Sequence, residues 1–175
     1  MTDSRTEPSA AQVLAMLDRA QALARRAMDA GHHPFGALLV GADHETVLME
    51  QGNVDSVNHA EAVLAREAAR RYSPAELWPC TLVTTVEPCA MCAGTQYWAN
   101  IGRTIFGIAE KALLDITGNH ADPRPAVPPC LRTRPEGRAR DRSGRRRRAG
   151  DRRAASPLLA LALRRAFAGA TTIAP

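Results

Sequence analysis

Two short stretches hold the residue types that could carry out chemistry. The first is His59-x-Glu61, which places an imidazole and a carboxylate two positions apart, and the second is Cys89-x-x-Cys92, which follows a proline. One imidazole and two thiolates are good zinc ligands. Three protein ligands leave the fourth position of a catalytic zinc open to water. The two stretches together therefore indicate a zinc-dependent hydrolytic site.

The residues of these stretches divide into ligands and a proton carrier. The predicted zinc ligands are His59, Cys89 and Cys92. Two thiolates and a neutral imidazole balance the charge of the metal, which allows a bound water to ionise. Glu61 is left over, and its carboxylate can take a proton from that water and return it to a substrate nitrogen and a departing amine. This chemistry replaces an amino group on a ring carbon by oxygen.

Two other interpretations of the cysteines remain open. A structural zinc would need a fourth ligand, and Cys80, Cys130 or another histidine could supply it. A disulfide oxidoreductase would use Cys89 and Cys92 as a redox pair, but it leaves His59 and Glu61 without a role. We favour the catalytic zinc.

The elements that must position these residues follow from hydrophobic periodicity and from glycine and proline breaks. We predict helices at 9–30, 59–71, 89–99 and 110–116, and strands at 35–40, 46–50, 80–86 and 103–108. Both motifs then begin a helix, where the helix dipole favours ionised thiols. The alternation of strands and helices predicts a three-layer α/β/α sandwich with parallel strands, opened by an antiparallel hairpin.

Composition divides the chain into a body and a tail. Residues 1–123 carry nine Arg or Lys against fifteen Asp or Glu, whereas residues 124–153 carry twelve Arg against three acidic residues. We predict one domain over 1–120 and an Arg/Pro-rich tail over 121–175 that is disordered or is a frameshift product, with a short helix at 158–167. Nucleic acid is expected to bind only through the tail, because the body is acidic.

The location of the protein is predicted from what the sequence lacks. No apolar run approaches the roughly 20 residues that a membrane helix needs, and the polar start does not resemble a signal peptide. We therefore expect a cytoplasmic protein without a membrane partner.

The two motifs resemble the His-x-Glu and Pro-Cys-x-x-Cys signature of the zinc-dependent cytidine/deoxycytidylate deaminase superfamily. Segments 34–37 (PFGA) and 87–94 (EPCAMCAG) are similar to motifs of the guanine deaminase and tRNA adenosine deaminase branch. The resemblance covers roughly residues 10–118. It implies a five-stranded mixed sheet (a cytidine deaminase-like fold), Zn²⁺ held by His59, Cys89 and Cys92, Glu61 as proton shuttle, and a homodimer.

The resemblance also implies a substrate class, a nucleobase or nucleoside from which ammonia is released. Segment 97–99 (YWA) is similar to guanine deaminase, so a purine such as guanine is the first expectation. We predict substrate contacts at Asn53, which resembles the base-contacting asparagine of this branch, and at Phe35, Ala60 and Trp98. The alternatives are a tRNA adenosine deaminase and a non-catalytic, zinc-stabilised nucleic-acid-binding module.

Overall fold

The computed structural model describes residues 6–117, and it confirms the predicted order of elements. The helices are α1 (Ala10–Asp29), α2 (Ala60–Arg71), α3 (Pro74–Leu77), α4 (Ala90–Ala99) and α5 (Glu110–Thr117). The strands are β1 (Gly36–Val40), β2 (Val47–Gly52), β3 (Thr81–Val86) and β4 (Arg103–Ile108).

The strands form one mixed sheet in the order β2-β1-β3-β4. β1 pairs antiparallel with both β2 and β3, whereas β3 and β4 run parallel. The parallel pair requires a crossover, and α4 supplies it. Every residue of β3 is buried, as expected for a central strand that is covered on both faces.

Apolar side chains fill both faces of this sheet, which confirms the three-layer α/β/α arrangement. On one face α1 packs its buried stripe against alternate residues of the sheet, among them Leu38, Val40 and Val83. On the other face α2 packs against the intervening residues, among them Leu39 and Leu82. The alternation of side chains along a strand divides these residues between the two layers.

The starts of the helices differ in detail from the sequence prediction. Ser9 caps α1 through a capping box with Gln12. His59 takes the N-cap position of α2, so the helix itself begins one residue later than predicted. The connection at 73–79 contains the one-turn helix α3, which Ser73 and Glu76 stabilise with a second capping box. A local hydrogen-bond pattern of this kind is hard to tell from a turn by periodicity alone.

The sheet has four strands within residues 6–117, not the five that the resemblance implies. The chain that follows α5 lies outside the described residues, so the count applies to this part of the molecule only. The tail 121–175, the predicted helix 158–167 and Cys130 lie outside them as well, and the division into two regions stays a prediction. No helix in the described part of the chain combines the length and apolar character of a membrane span.

Candidate metal centre

The two motifs meet at the N-terminal ends of α2 and α4, which pack against each other. His59 is the N-cap of α2, and Cys89 is the N-cap of α4. Cys92 lies in the first turn of α4, one turn after Cys89, so its side chain points the same way. Pro88 immediately precedes the cap and lies outside the helix. Each cap has extended backbone angles, which turn the side chain towards the gap between the helices.

The three predicted ligand atoms form a nearly equilateral triangle. Nδ1 of His59 lies 3.6 Å from Sγ of Cys89 and 3.6 Å from Sγ of Cys92, and the two sulfurs are 3.6 Å apart. A tetrahedral zinc with ordinary Zn–S and Zn–N lengths places its ligand atoms about 3.6–3.8 Å from one another. The residues therefore fit zinc without rearrangement. Among the described residues, this is the group of three whose atoms could hold a metal ion.

A backbone carbonyl sets the orientation of the histidine ring. Nε2 of His59 lies 3.1 Å from the carbonyl oxygen of Ser56. A carbonyl only accepts, so Nε2 carries the hydrogen and Nδ1 keeps its lone pair, which faces the two sulfurs. Metal-binding histidines are commonly held by such a partner on the second ring nitrogen. Ser56 thus prepares His59 to be a ligand.

The contact between the two thiols shifts their pKa values in opposite directions. The side-chain hydrogen bond with Cys92, followed by the Cys92 backbone, His59 and the Met91 backbone, lowers the pKa of Cys89 to about 5 against the opposing effect of burial. The same contact with Cys89, together with burial and the nearby Glu61 carboxylate, raises the pKa of Cys92. A metal that binds both sulfurs must displace the thiol protons.

Glu61 lies beside the ligand triangle and is buried, with only 5% of its surface exposed. Its Oε1 accepts a hydrogen bond of 2.7 Å from the hydroxyl of Thr84 in β3. Its Oε2 lies 3.5 Å from Sγ of Cys92. The carboxylate therefore reaches the edge of the metal centre without joining the ligand set. This arrangement agrees with a proton carrier and differs from a four-ligand structural site.

The loop at 53–58 leads from β2 to His59, and Asp55 holds it together. Its carboxylate accepts hydrogen bonds from the backbone of Val57 and from the backbone and side chain of Asn58. These bonds, the Asn58 side chain first, lower the pKa of Asp55 to about 2. The Asp55 carbonyl also accepts a 3.0 Å bond from Nδ2 of Asn53. Asn53 is 96% buried, since 4% of its surface is exposed, and its Oδ1 has no partner among the described residues.

The family profile described as the cytidine and deoxycytidylate deaminase zinc-binding region matches residues 11–108. This chain belongs to that family. The match spans both motifs and every element from α1 to β4, so it covers the metal centre described above. The resemblance inferred from the motifs is thereby confirmed.

Similar proteins have several deaminase names. The probable cytosine deaminase of Schizosaccharomyces pombe is 40% identical over 110 residues, which are 59% of this chain and 65% of that protein. The tRNA-specific adenosine deaminase of Haemophilus influenzae is 35% identical over 100 residues, 54% of this chain and 57% of that protein. The chain therefore matches less than two thirds of the length of these relatives.

A solved structure shows the same fold. The crystal structure of guanine deaminase from Bacillus subtilis superimposes with a TM-score of 0.53 at 30% sequence identity, and the match covers 59% of this chain and 69% of that one. The likeness supports the deaminase fold that the sheet order and the two helix starts already indicate.

The remaining predicted substrate residues of this deaminase-family chain lie in different places. Ala60 begins α2 directly after His59 and is fully buried. Phe35 packs against the hydrophobic cluster beneath α1, with an edge-on contact to His33. Trp98 is 84% exposed on α4, edge-on to Tyr97. The ligand alternative Cys80 lies at the start of β3, at the opposite end from Cys89, and its thiol donates to the carbonyl of Glu76.

Three residues of the site escaped the sequence analysis. Thr84 was hidden in a β-branched run that reads only as a buried strand, and Ser56 acts through its backbone carbonyl, which no side-chain pattern reveals. Asp55 carried a usable signal. Its carboxylate accepts from the backbone N–H groups two and three residues further on, those of Val57 and Asn58. This spacing is typical of an Asx turn.

Proposed function

We propose that this chain is a zinc-dependent hydrolytic deaminase that releases ammonia from a nucleobase or nucleoside, with guanine as the first expected substrate. The observation that carries the proposal is the buried Glu61 carboxylate at the edge of a three-ligand triangle, 3.5 Å from one ligand and outside the ligand set. The triangle alone would suit a structural metal with one more ligand. The adjacent carboxylate supplies the acid–base group that hydrolysis needs.

The site residues have two roles in the proposed reaction, metal binding and proton transfer. His59, Cys89 and Cys92 would hold the zinc, which when bound supplies a water activated for attack on the amino-bearing carbon. Glu61 takes one proton from the attacking water and delivers it to the ring nitrogen, and then takes the second proton from the same oxygen and delivers it to the departing amine, which leaves as ammonia. The burial of Glu61 keeps bulk water from competing for these protons.

Asn53 is the proposed contact for the base. Its Nδ2 is already bound to the Asp55 carbonyl, which leaves Oδ1 as a buried acceptor without a partner among residues 6–117. A buried polar atom without a partner is costly, and a ring N–H or exocyclic amine of a base would satisfy it. Guanine offers both groups. The similar Bacillus subtilis protein has the name guanine deaminase, which supports this choice.

An ammonia-release screen tests the function directly. Guanine, cytosine, adenosine and a structured RNA are compared on one preparation, with zinc measured in the same sample. We expect release from a free base and one zinc per chain. Release only from structured RNA would favour the tRNA adenosine deaminase alternative, which the Haemophilus influenzae relative supports and the acidic body disfavours.

The substitution Glu61→Gln tests the proton shuttle. It keeps the size of the side chain and removes its basicity, so we expect zinc to stay bound while ammonia release falls by about 10²–10⁴-fold. The matched control is Glu67→Gln, which makes the same change on the same helix, where the side chain pairs with Arg70 instead of facing the metal centre. Substantial turnover by Glu61→Gln would exclude the assigned role.

The non-enzymatic alternative is a zinc-stabilised module that binds nucleic acid through its tail. It is tested by replacing Arg145–Arg148 with glutamine in the full chain. If polyanion binding is the function, affinity for nucleic acid falls steeply while ammonia release is absent from both proteins. If the chain is a deaminase, release continues unchanged.

We also propose a cytoplasmic homodimer, with α2 and α4 as the contact surface. A groove of about 480 Å³ lies between these helices, and its lining includes Ala69, Gly94 and Trp98. An exposed aromatic side chain beside an apolar groove is typical of interaction sites. Trp98→Ala separates this role from base stacking. Loss of the dimer in light scattering indicates an interface, whereas a raised KM in an unchanged dimer indicates a substrate contact.

A further inference from the structure

We propose that Thr84 is a positioning residue for the reaction: its hydroxyl holds one oxygen of the Glu61 carboxylate so that the other oxygen faces the metal centre. The proposal rests on the deaminase function proposed above, because it concerns the group that moves the protons. Among the residues that the structure describes, Thr84 forms no side-chain hydrogen bond with the ligand triangle or with a predicted substrate contact, so it acts through Glu61.

The contact is short and shielded from water. The Thr84 hydroxyl donates to Oε1 of Glu61 at 2.7 Å, within the usual range for a hydroxyl donor to an ionised acceptor. Thr84 is fully buried and Glu61 is 5% exposed. A hydrogen bond to a charged group in such surroundings is stronger than one in water, and its loss leaves a buried oxygen unpaired.

The donor sits on the most constrained strand of the sheet. Thr84 pairs with Ala37 of β1 on one side and with Phe106 of β4 on the other. The Thr84 backbone is therefore fixed on both sides, and its branched side chain has few rotamers. The position of the hydroxyl is determined by the sheet, so the sheet positions one end of the carboxylate.

This contact gives the two carboxylate oxygens different surroundings. Oε1 accepts from the Thr84 hydroxyl, while Oε2 accepts from the Cys92 thiol at 3.5 Å and so faces the metal centre. The terminal torsion of a glutamate is broad and nearly two-fold, so the side chain alone does not select this orientation. The hydroxyl of Thr84 selects it, and Oε2 is left to exchange protons with water and substrate.

Neighbouring threonines of β3 do not share this role. The hydroxyl oxygen of Thr85 accepts from the backbone N–H of Gly36 at 3.3 Å. Thr81 is also fully buried, but its hydroxyl has no partner among the described residues. Thr81→Val is therefore a matched control, because it makes the same substitution in the same strand without removing a hydrogen bond from Glu61.

The experiment compares Thr84→Val, Thr84→Ser and Thr81→Val in the full chain loaded with zinc. Thr84→Val removes the hydroxyl and keeps the shape, and we expect kcat to fall by about 10–100-fold with KM changed by less than about threefold. Thr84→Ser keeps the hydroxyl and recovers most of kcat. Zinc content of both Thr84 variants stays close to that of Thr81→Val, and the melting temperature of Thr84→Val falls because a buried oxygen of Glu61 loses its partner. If Thr84→Val does not fold, Thr84→Ala replaces it.

Two results would overturn the proposal. One is a kcat for Thr84→Val within about twofold of Thr81→Val, which would show that the hydroxyl contributes nothing to the reaction. The other is a crystal structure of zinc-loaded Thr84→Val in which both Glu61 oxygens keep their wild-type positions. If the wild-type protein releases no ammonia from any base, the proposed function fails, and the crystal structure alone then decides the role of Thr84.

Discussion

Cys92 shows at the scale of one residue how the centre combines burial with reactivity. Its thiol is almost fully buried and contacts Cys89, His59 and Glu61 at once. Once ionised, a thiol in such surroundings needs a metal ion or a hydrogen-bond donor among its neighbours. We therefore expect the three ligands to bind the metal as one unit.

The substitution Cys92→Ser tests this unit. A serine hydroxyl is a poor zinc ligand and cannot span the same distances, so we expect zinc per chain to fall to nearly zero and ammonia release to disappear. Elemental analysis of the purified protein measures the metal. The matched control is Cys80→Ser, a buried cysteine whose thiol donates to the Glu76 carbonyl, and it should keep its zinc. Zinc retained by Cys92→Ser would contradict the assigned ligand set.

Residue types and spacing predicted the ligand triangle, because His-x-Glu together with Cys-x-x-Cys is a pattern that few sites other than a metal centre require. They did not predict Thr84, since its role depends on which residue of α2 lies above β3. That is a fact about packing between segments 23 positions apart. A pattern within one segment cannot contain it.

At the scale of elements, two loops are each closed by an aspartate side chain, so the effect of one loop on activity can be compared with that of the other. Asp55 closes the loop at 53–58, and Asp43 closes the turn between β1 and β2 by accepting hydrogen bonds from Glu45 and Thr46. Hydrogen bonds, from the Thr46 side chain first, also lower the pKa of Asp43 to about 2. Only the Asp55 loop leads to the metal centre.

We therefore expect Asp55→Ala to lower kcat/KM by about tenfold, because Asn53 and His59 lose their fixed loop. Asp43→Ala removes an equivalent turn at the far end of the hairpin and should leave kcat/KM unchanged. Equal activity of the two variants would show that the Asp55 loop does not position the site.

The pKa values of Asp43 and Asp55 both lie below the ordinary value for an aspartate. The stabilisation by each carboxylate is therefore complete above about pH 4 and is lost as the pH falls towards 2.

The elements themselves were largely predictable. Periodicity placed α1, α2, α4 and the strands within a few residues, because each buries one face or both. The short helix α3 was missed, since four residues hold too little of a period, although the capping box at Ser73 and Pro74 at the first helical position are local signals of a helix start. The start of α4 was predicted one residue early, because the sequence does not distinguish the N-cap Cys89 from the first helical residue that follows it.

The whole molecule depends on how closely α1 approaches the sheet, and Gly36 sets that distance. A Cβ at this position would lie 2.4 Å from the carbonyl oxygen of Ala20 and 2.8 Å from the backbone N of Ala24. Backbone atoms of a helix cannot give way as a flexible side chain can. The layer of α1 would have to move away from β1.

Gly36→Ala should therefore lower the free energy of unfolding by about 3 kcal/mol. Gly94→Ala is the control at a concentration where the proposed α2/α4 dimer is dissociated, because a Cβ there meets nothing within 4 Å in the same chain and alanine favours the helix, with an expected gain of up to about 1 kcal/mol. Urea unfolding of the two variants measures both effects. A Gly36→Ala protein as stable as the wild type would mean that α1 adjusts its position freely.

The ligand triangle also provides a way to measure how much of a purified preparation is folded. Its three donors come from two helices that are separated in sequence by β3, so the triangle exists only after that strand has paired and both helices have packed. An unfolded chain offers the same donors at no fixed distance and binds metal far more weakly. The amount of zinc that copurifies with the chain is therefore a lower limit on the number of correctly folded molecules.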